Sequence, residues 1–225
     1  IYCQLISRRG VQGHMGTISL ETASNLYWLG RNTERCSLLI DIFSNTFDSM
    51  LDKDNTCYID LCEEMGIPNT YVDGDDFIKR FIFDDNNSHS IISNLDNAYN
   101  NAVLSKDVIK HECYSYLRLA SNLLRDINTK QLYRLLNVQD NIFSFFGSIL
   151  EYMEDEVAYN IVLMGKYIER IDIFLRLGED TERIDKMYHR LNRIIPGNKF
   201  DISKVEYNLQ YVNSLFERYC INNGL

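Results

Sequence analysis

Two glutamate–arginine steps stand out among the residues whose types and spacing could do chemistry. Glu34-Arg35 follows Gly30-Arg31, and Glu169-Arg170 follows Gly165-Lys166. Two carboxylates held close have pKa values pushed apart, as acid–base chemistry requires, whereas arginines beside them keep both ionised. Neighbouring residues on a helix point in different directions, so Glu34 cannot satisfy itself with Arg35. An unpaired buried charge costs several kcal/mol, and reciprocal pairing is therefore predicted, Glu34 with Arg170 and Glu169 with Arg35 across a local two-fold. Arg31 and Lys166, one turn before the glutamates, serve as secondary partners. The competing reading makes Glu34, Glu169, Arg31, Arg35, Arg170 and Lys166 the lining of a polar cavity for an anionic or peptide ligand.

These charges sit inside an internal repeat. Displacing the chain by 135 residues lays 21–35 over 156–170 without a gap, with Glu21/Glu156, Ala23/Ala158, Asn25/Asn160, Gly30/Gly165, Glu34/Glu169 and Arg35/Arg170 identical. Both segments are apolar nearly all round, from Leu26, Tyr27, Trp28 and Leu29 to Ile161, Val162, Leu163 and Met164, which places each in the centre of a bundle. A mid-helix glycine costs about 1 kcal/mol relative to alanine. Gly30 and Gly165 each precede the glutamate by four residues and share its face, so a close approach of the two helices is the predicted compensation.

The elements that must position the motifs are helical throughout. Only Pro68 and Pro196 interrupt the chain, apolar residues recur at spacings of three and four, and strand-like alternation is missing. Helices are predicted over Ser19–Leu51, Asn55–Met65, Asp75–Phe83, Ser88–Leu104, Ser105–Arg125, Thr129–Glu151, Glu154–Gly178, Asp180–Ile195 and Ile202–Ile221. Ser19, Ser105 and Thr129 are the capping candidates, and Gly66-Ile67-Pro68 and Pro196-Gly197 the stops. The expected fold is an all-α multi-helix bundle in which the two motif helices form a central pseudo-two-fold pair. Gly13-His14-Met15 reads as a vector scar before an initiator Met15, so 1–14 is set aside as an extension. Residues 15–225 then form one helical domain with halves at about 15–128 and 129–225.

Charge and composition narrow the function classes. Lys and Arg total 23 against 32 for Asp and Glu, a net charge of −9 that opposes attraction to nucleic acid. The apolar stretch Ile142–Leu150 is far shorter than the roughly 20 residues a membrane span needs. Six cysteines without a CxxC pair read as reduced thiols, which places the chain in the cytoplasm. Cys57, Cys62, His111 and Cys113 fit no zinc template, so neither metal nor cofactor is predicted. His14 falls in the scar, and His89, His111 and His189 read as solvated. One surface feature remains: Arg183, Lys186, Arg190 and Arg193 form a basic edge beside the apolar stripe Ile184, Met187, Leu191 and Ile194, suited to docking an acidic partner or ligand.

The motif residues resemble the alpha-E family of bacterial helical proteins. Asn25-Leu26-Tyr27-Trp28-Leu29-Gly30-Arg31-x-x-Glu34-Arg35 is similar to its first signature. Gly165-Lys166-Tyr167-Ile168-Glu169-Arg170-Ile171-Asp172 is similar to its second, with Lys166 where arginine is usual. Asn87-Ser88-His89-Ser90-Ile91 resembles the family's Asn-Pro-x-Ser-Ile turn without the proline. Ala98-Tyr99-Asn100-Asn101-Ala102-Val103 stands where the family has Ala-Arg-Glu-Asn-Ala-Arg, and lacks both arginines and the glutamate. The resemblance implies a protein that accompanies ATP-grasp ligase-like and transglutaminase-like proteins in peptide ligation or modification. With no phosphate loop, nucleophile triad or metal motif, the expected role is a non-catalytic module that docks on such an enzyme or presents its peptide. The alternative is an enzyme using the paired Glu and Arg residues in a bundle cavity. The sequence leaves homo-oligomerisation open.

Overall fold

The computed structural model describes residues 18–195, 209–222 and 224–225. The suspected scar at 1–14, the Pro196-Gly197 stop and the predicted helix start at Ile202 lie outside them. Among the described residues the chain forms α1 (Leu20–Asp52), α2 (Tyr58–Met65), α3 (Gly74–Phe83), α4 (Ile91–Leu104), α5 (His111–Arg125), a 3-10 turn (Leu132–Arg134), α6 (Leu135–Tyr152), α7 (Glu156–Arg176), α8 (Thr181–Ile194) and α9 (Leu209–Asn222), with no strand.

The long α1 begins where Ser19 accepts the Thr22 amide at 3.1 Å, and α7 begins where Asp155 accepts the Ala158 amide at 3.0 Å. Each side chain satisfies one of the four orphan N–H groups of a helix start. The two helices then lie against each other as the centre of the bundle. On the flanks of α1 pack α4 and α6, α8 covers α7, and α5 pairs with α6 across the boundary between the sequence halves. One continuous apolar cluster runs through all of them. The halves at 15–128 and 129–225 are thus interleaved around a shared core.

Two predicted starts are displaced. Ser105 ends α4 rather than opening α5, because Ser105 to Lys110 form a turn that buries Ile109, and α5 begins only at His111. Thr129 caps nothing: the Asn128 side chain accepts the Lys130 amide at 3.0 Å, an Asx turn that delays regular helix to Leu135. At the far end of α2, Gly66 takes the left-handed conformation with φ +65°, and the Ile67 amide reaches back to the Cys62 carbonyl at 2.8 Å. That reversal brings Met65, Gly66 and Ile67 beside the C-terminal part of α7.

Candidate functional site

The crossing of α1 and α7 is built on the two glycines. A Cβ added to Gly30 would overlap the Val162 carbonyl oxygen and lie 3.0 Å from the Lys166 amide nitrogen. One added to Gly165 would overlap the Tyr27 carbonyl oxygen and lie 3.0 Å from the Arg31 amide nitrogen. Val162 and Lys166 are the repeat counterparts of Tyr27 and Arg31, so the approach is two-fold symmetric at the level of the backbone. Neither position has room for a side chain, and the helix-propensity cost of glycine is offset by this contact.

One turn beyond the glycines the charges meet crosswise. Arg170 bonds Glu34 through both Nε and Nη2, and Lys166 lies 3.8 Å from the same carboxylate. On the other side Glu169 accepts Arg31 Nε at 2.6 Å and Arg35 Nε at 2.5 Å, one on each oxygen. Both glutamates are 1% exposed. Arg31 is more than a secondary partner: it is itself buried, and its Nη2 also bonds Asp172 at 2.8 Å. Its charge faces the Trp28 ring with 5.3 Å to the centroid.

Burial and charge act in opposition here. For Glu34, burial pushes the carboxyl above its ordinary value, outweighing the pull of Arg170 and Lys166. For Lys166, burial pushes the amine down against the attraction of Glu34. Burial also works against the Arg31 charge, but Glu169, Tyr27 and Asp172 together hold its pKa above the ordinary arginine value.

The two-fold breaks one turn further on. Asp172 and Arg176 of α7 correspond in the repeat to Ser37 and Asp41 of α1. Gln139 of α6 covers Ser37 and Asp41, donating to the Ser37 carbonyl at 3.1 Å and to Asp41 Oδ1 at 2.7 Å. Phe146, also of α6, covers Lys166, whose ammonium sits 3.5 Å from the ring centroid. The other half stays open. Arg176 Nε bonds Asp172 at 2.7 Å and its Nη1 bonds the Met65 carbonyl at 3.3 Å, and beside it lies a recess of about 280 Å³. Its lining combines the charged Arg35, Glu169, Asp172 and Arg176 with the apolar Leu39, Ile67 and Ile173, and with His89.

The sequence pattern missed four of these residues. Asp172 and Arg176 carried a signal, since Glu169, Asp172 and Arg176 are spaced by three and four and share one face of α7. Gln139 carried none. His89, read as solvated, is half-buried in the wall of the recess, and burial together with Arg35 and Arg176 pushes its ring below its ordinary pKa. His111 and His189 are exposed.

The basic edge on α8 is weaker than its sequence suggests. Its stripe Ile184, Met187, Leu191 and Ile194 is buried. Arg183 is tied to Glu179 at 2.6 Å and Lys186 to Glu182 at 2.7 Å, each one turn earlier. Arg190 and Arg193 are exposed and have no ionic partner among the described residues. Cys57 and Cys62 lie at α2 and His111 and Cys113 at the start of α5, and among the described residues no three such groups gather as a metal would require. No described helix is long and apolar enough to cross a membrane.

This geometry defines a class: helical bundles whose central pair is closed by glycine contact and crossed Glu–Arg pairs. The family model for Alpha-E, described as a predicted alpha-helical domain with a conserved ER motif, matches residues 21–217, and the chain belongs to that family. No curated protein and no solved structure matches it.

Proposed function

We propose that this protein is a non-catalytic helical module that docks on an ATP-grasp-type peptide ligase or presents a peptide to it. The observation that carries this reading is the engagement of the motif glutamates with the motif cations of the opposite helix, both oxygens of Glu169 on Arg31 and Arg35, and Glu34 on Arg170 and Lys166. Carboxylates held this way fix the register of two helices and have little freedom to shuttle protons. The partner class comes from the resemblance of the two signatures to proteins found with ATP-grasp and transglutaminase-like enzymes. A cytoplasmic location accords with the thiols of Cys36, Cys57, Cys62, Cys113 and Cys220, none of which forms a disulfide.

One observation favours the alternative, an enzyme that uses the paired charges. Glu34 and Lys166 are displaced towards each other in pKa, the arrangement of a proton donor and acceptor. Activity and co-purification assays with a purified ATP-grasp-type peptide ligase separate the two readings. The module reading expects no ATP or peptide hydrolysis by the isolated chain, and association with the partner. Turnover by the chain alone, lost in a folded Glu34→Gln variant, establishes the enzyme instead.

A further inference from the structure

Repeat symmetry would give both halves of the charge cluster the same surroundings, yet only one half is covered. Phe146 of α6 covers Lys166 and Gln139 covers Ser37 and Asp41 on the side of Glu34, while the side of Glu169 and Asp172 opens to the recess. Among the described residues the charge in the open half does not cancel. Three guanidiniums, Arg31, Arg35 and Arg176, face two carboxylates, Glu169 and Asp172, a surplus of one positive charge.

The carboxylates that line the recess do not repel an incoming anion as bare charges would. All four of their oxygens accept a guanidinium N–H: those of Glu169 from Arg31 and Arg35, those of Asp172 from Arg31 and Arg176. The donors are not used up in return. Arg35 spends Nε on Glu169 and Nη1 on Asn94, and Arg176 spends Nε on Asp172 and Nη1 on Met65. Among the described residues the Nη2 group of each, and the ring of His89, has no acceptor. Leu39, Ile67 and Ile173 add apolar surface to the lining of the recess. At about 280 Å³ it falls below the roughly 300–1,000 Å³ of drug-sized sites, so it takes one small group rather than a folded segment.

We infer that this recess is a binding site for a single carboxylate carried on a short apolar stem, held by Arg35, Arg176 and His89 with its stem on Leu39, Ile67 and Ile173. A surplus of one charge suits a monoanion better than a phosphate dianion, and the planar guanidinium N–H groups match the geometry of a carboxylate. Such a group is carried by the C-terminus of a peptide ending in an aliphatic residue, or by a free small acid. The inference rests on the module reading in treating the group as held rather than turned over.

The full chain, labelled with nitrogen-15, is titrated by NMR with N-acetyl-leucine, N-acetyl-leucinamide, a hexapeptide ending in leucine with a free carboxylate, the same hexapeptide amidated, and inorganic phosphate. The free acids are expected to shift resonances around the recess, with dissociation constants on the order of a millimolar, and the amides to bind about tenfold more weakly or not at all. If the hexapeptide acid binds and N-acetyl-leucine does not, the carboxylate is a peptide terminus; if both bind, a free acid suffices. Arg176→Gln and His89→Gln should each weaken the acids, while Arg190→Gln on α8 should not. Should Arg176→Gln fail to fold, His89→Gln, whose ring makes no hydrogen bond, decides. Acids and amides binding alike, no shift at about 10 mM acid, or phosphate displacing the acids overturns the site. Carboxylate binding without co-purification of an ATP-grasp-type protein leaves this site standing and removes the module's partner, and the converse result removes only the site.

Discussion

The covered and open halves of the charge cluster descend from one repeated motif and end in different environments. Around Glu34 the partners are Arg170 and Lys166, whose side chains are 25% and 20% exposed, and α6 packs on this side with Phe146 against Lys166 and Gln139 against Ser37 and Asp41. Around Glu169 the chief partner is Arg31, whose side chain is 7% exposed, and the outer members Arg35 and Arg176 line the recess. The lesson is that a symmetric backbone contact between two glycines can hold an asymmetric pair of sites. The backbone demands symmetry because only glycine fits on either side. The side chains one turn away answer to whatever packs on each flank.

The largest expected effect lies on the open side. Glu169→Ala takes from buried Arg31 the carboxylate that accepts its Nε and should destabilise by about 3 to 5 kcal/mol, read from urea unfolding. Glu34→Ala should cost less, about 2 to 3 kcal/mol, because Arg170 and Lys166 can turn towards water. Equal losses would break the comparison.

The glycines test the symmetric part. Gly30→Ala and Gly165→Ala should each cost about 1 to 3 kcal/mol, the overpacking penalty less the gain in helix propensity. The two losses should match, and the double variant should fall short of their sum, since helices already pushed apart no longer clash. Thermal or urea unfolding of the three variants provides the measurement. Different single losses would mean that the crossing is not two-fold.

A smaller effect is expected where α6 seals the covered half. Gln139→Leu removes hydrogen bonds to Ser37 and Asp41 and should cost about 1 kcal/mol, since Asp41 is exposed and can bond water. The smallest concerns His89. Its folded pKa lies below the ordinary 6.5, so its contribution to stability is present above that value and is lost as the pH falls through the folded value, where the unfolded chain takes up the proton first. Urea midpoints at about pH 7.5 and pH 5.5 should therefore differ less for His89→Gln than for the parent chain. An identical difference would mean that the ring does not sense the recess.

What the sequence determined by itself is whatever follows from spacing along one helix. Apolar residues at three and four placed α1 and α7 in the centre, the shared face of Gly30 and Glu34 implied close approach and crossed pairing, and Gly66 marked the end of α2. The spacing of Glu169, Asp172 and Arg176 was equally legible in principle, because it too lies on one helix face. The tertiary structure alone decided that Arg31 is the most deeply buried cation of the cluster, that Gln139 of α6 covers Ser37 and Asp41 on one side, and that His89 of the turn before α4 lines the recess on the other. Those residues are far from the motifs in sequence, and no helical period encodes which flank of a helix pair a third element will cover. Ser105 and Thr129 failed as starts for a related reason: a capping residue offers a hydrogen bond, but the packing of Ile109 and the Asx turn at Asn128 decided where the chain was bent enough to use one.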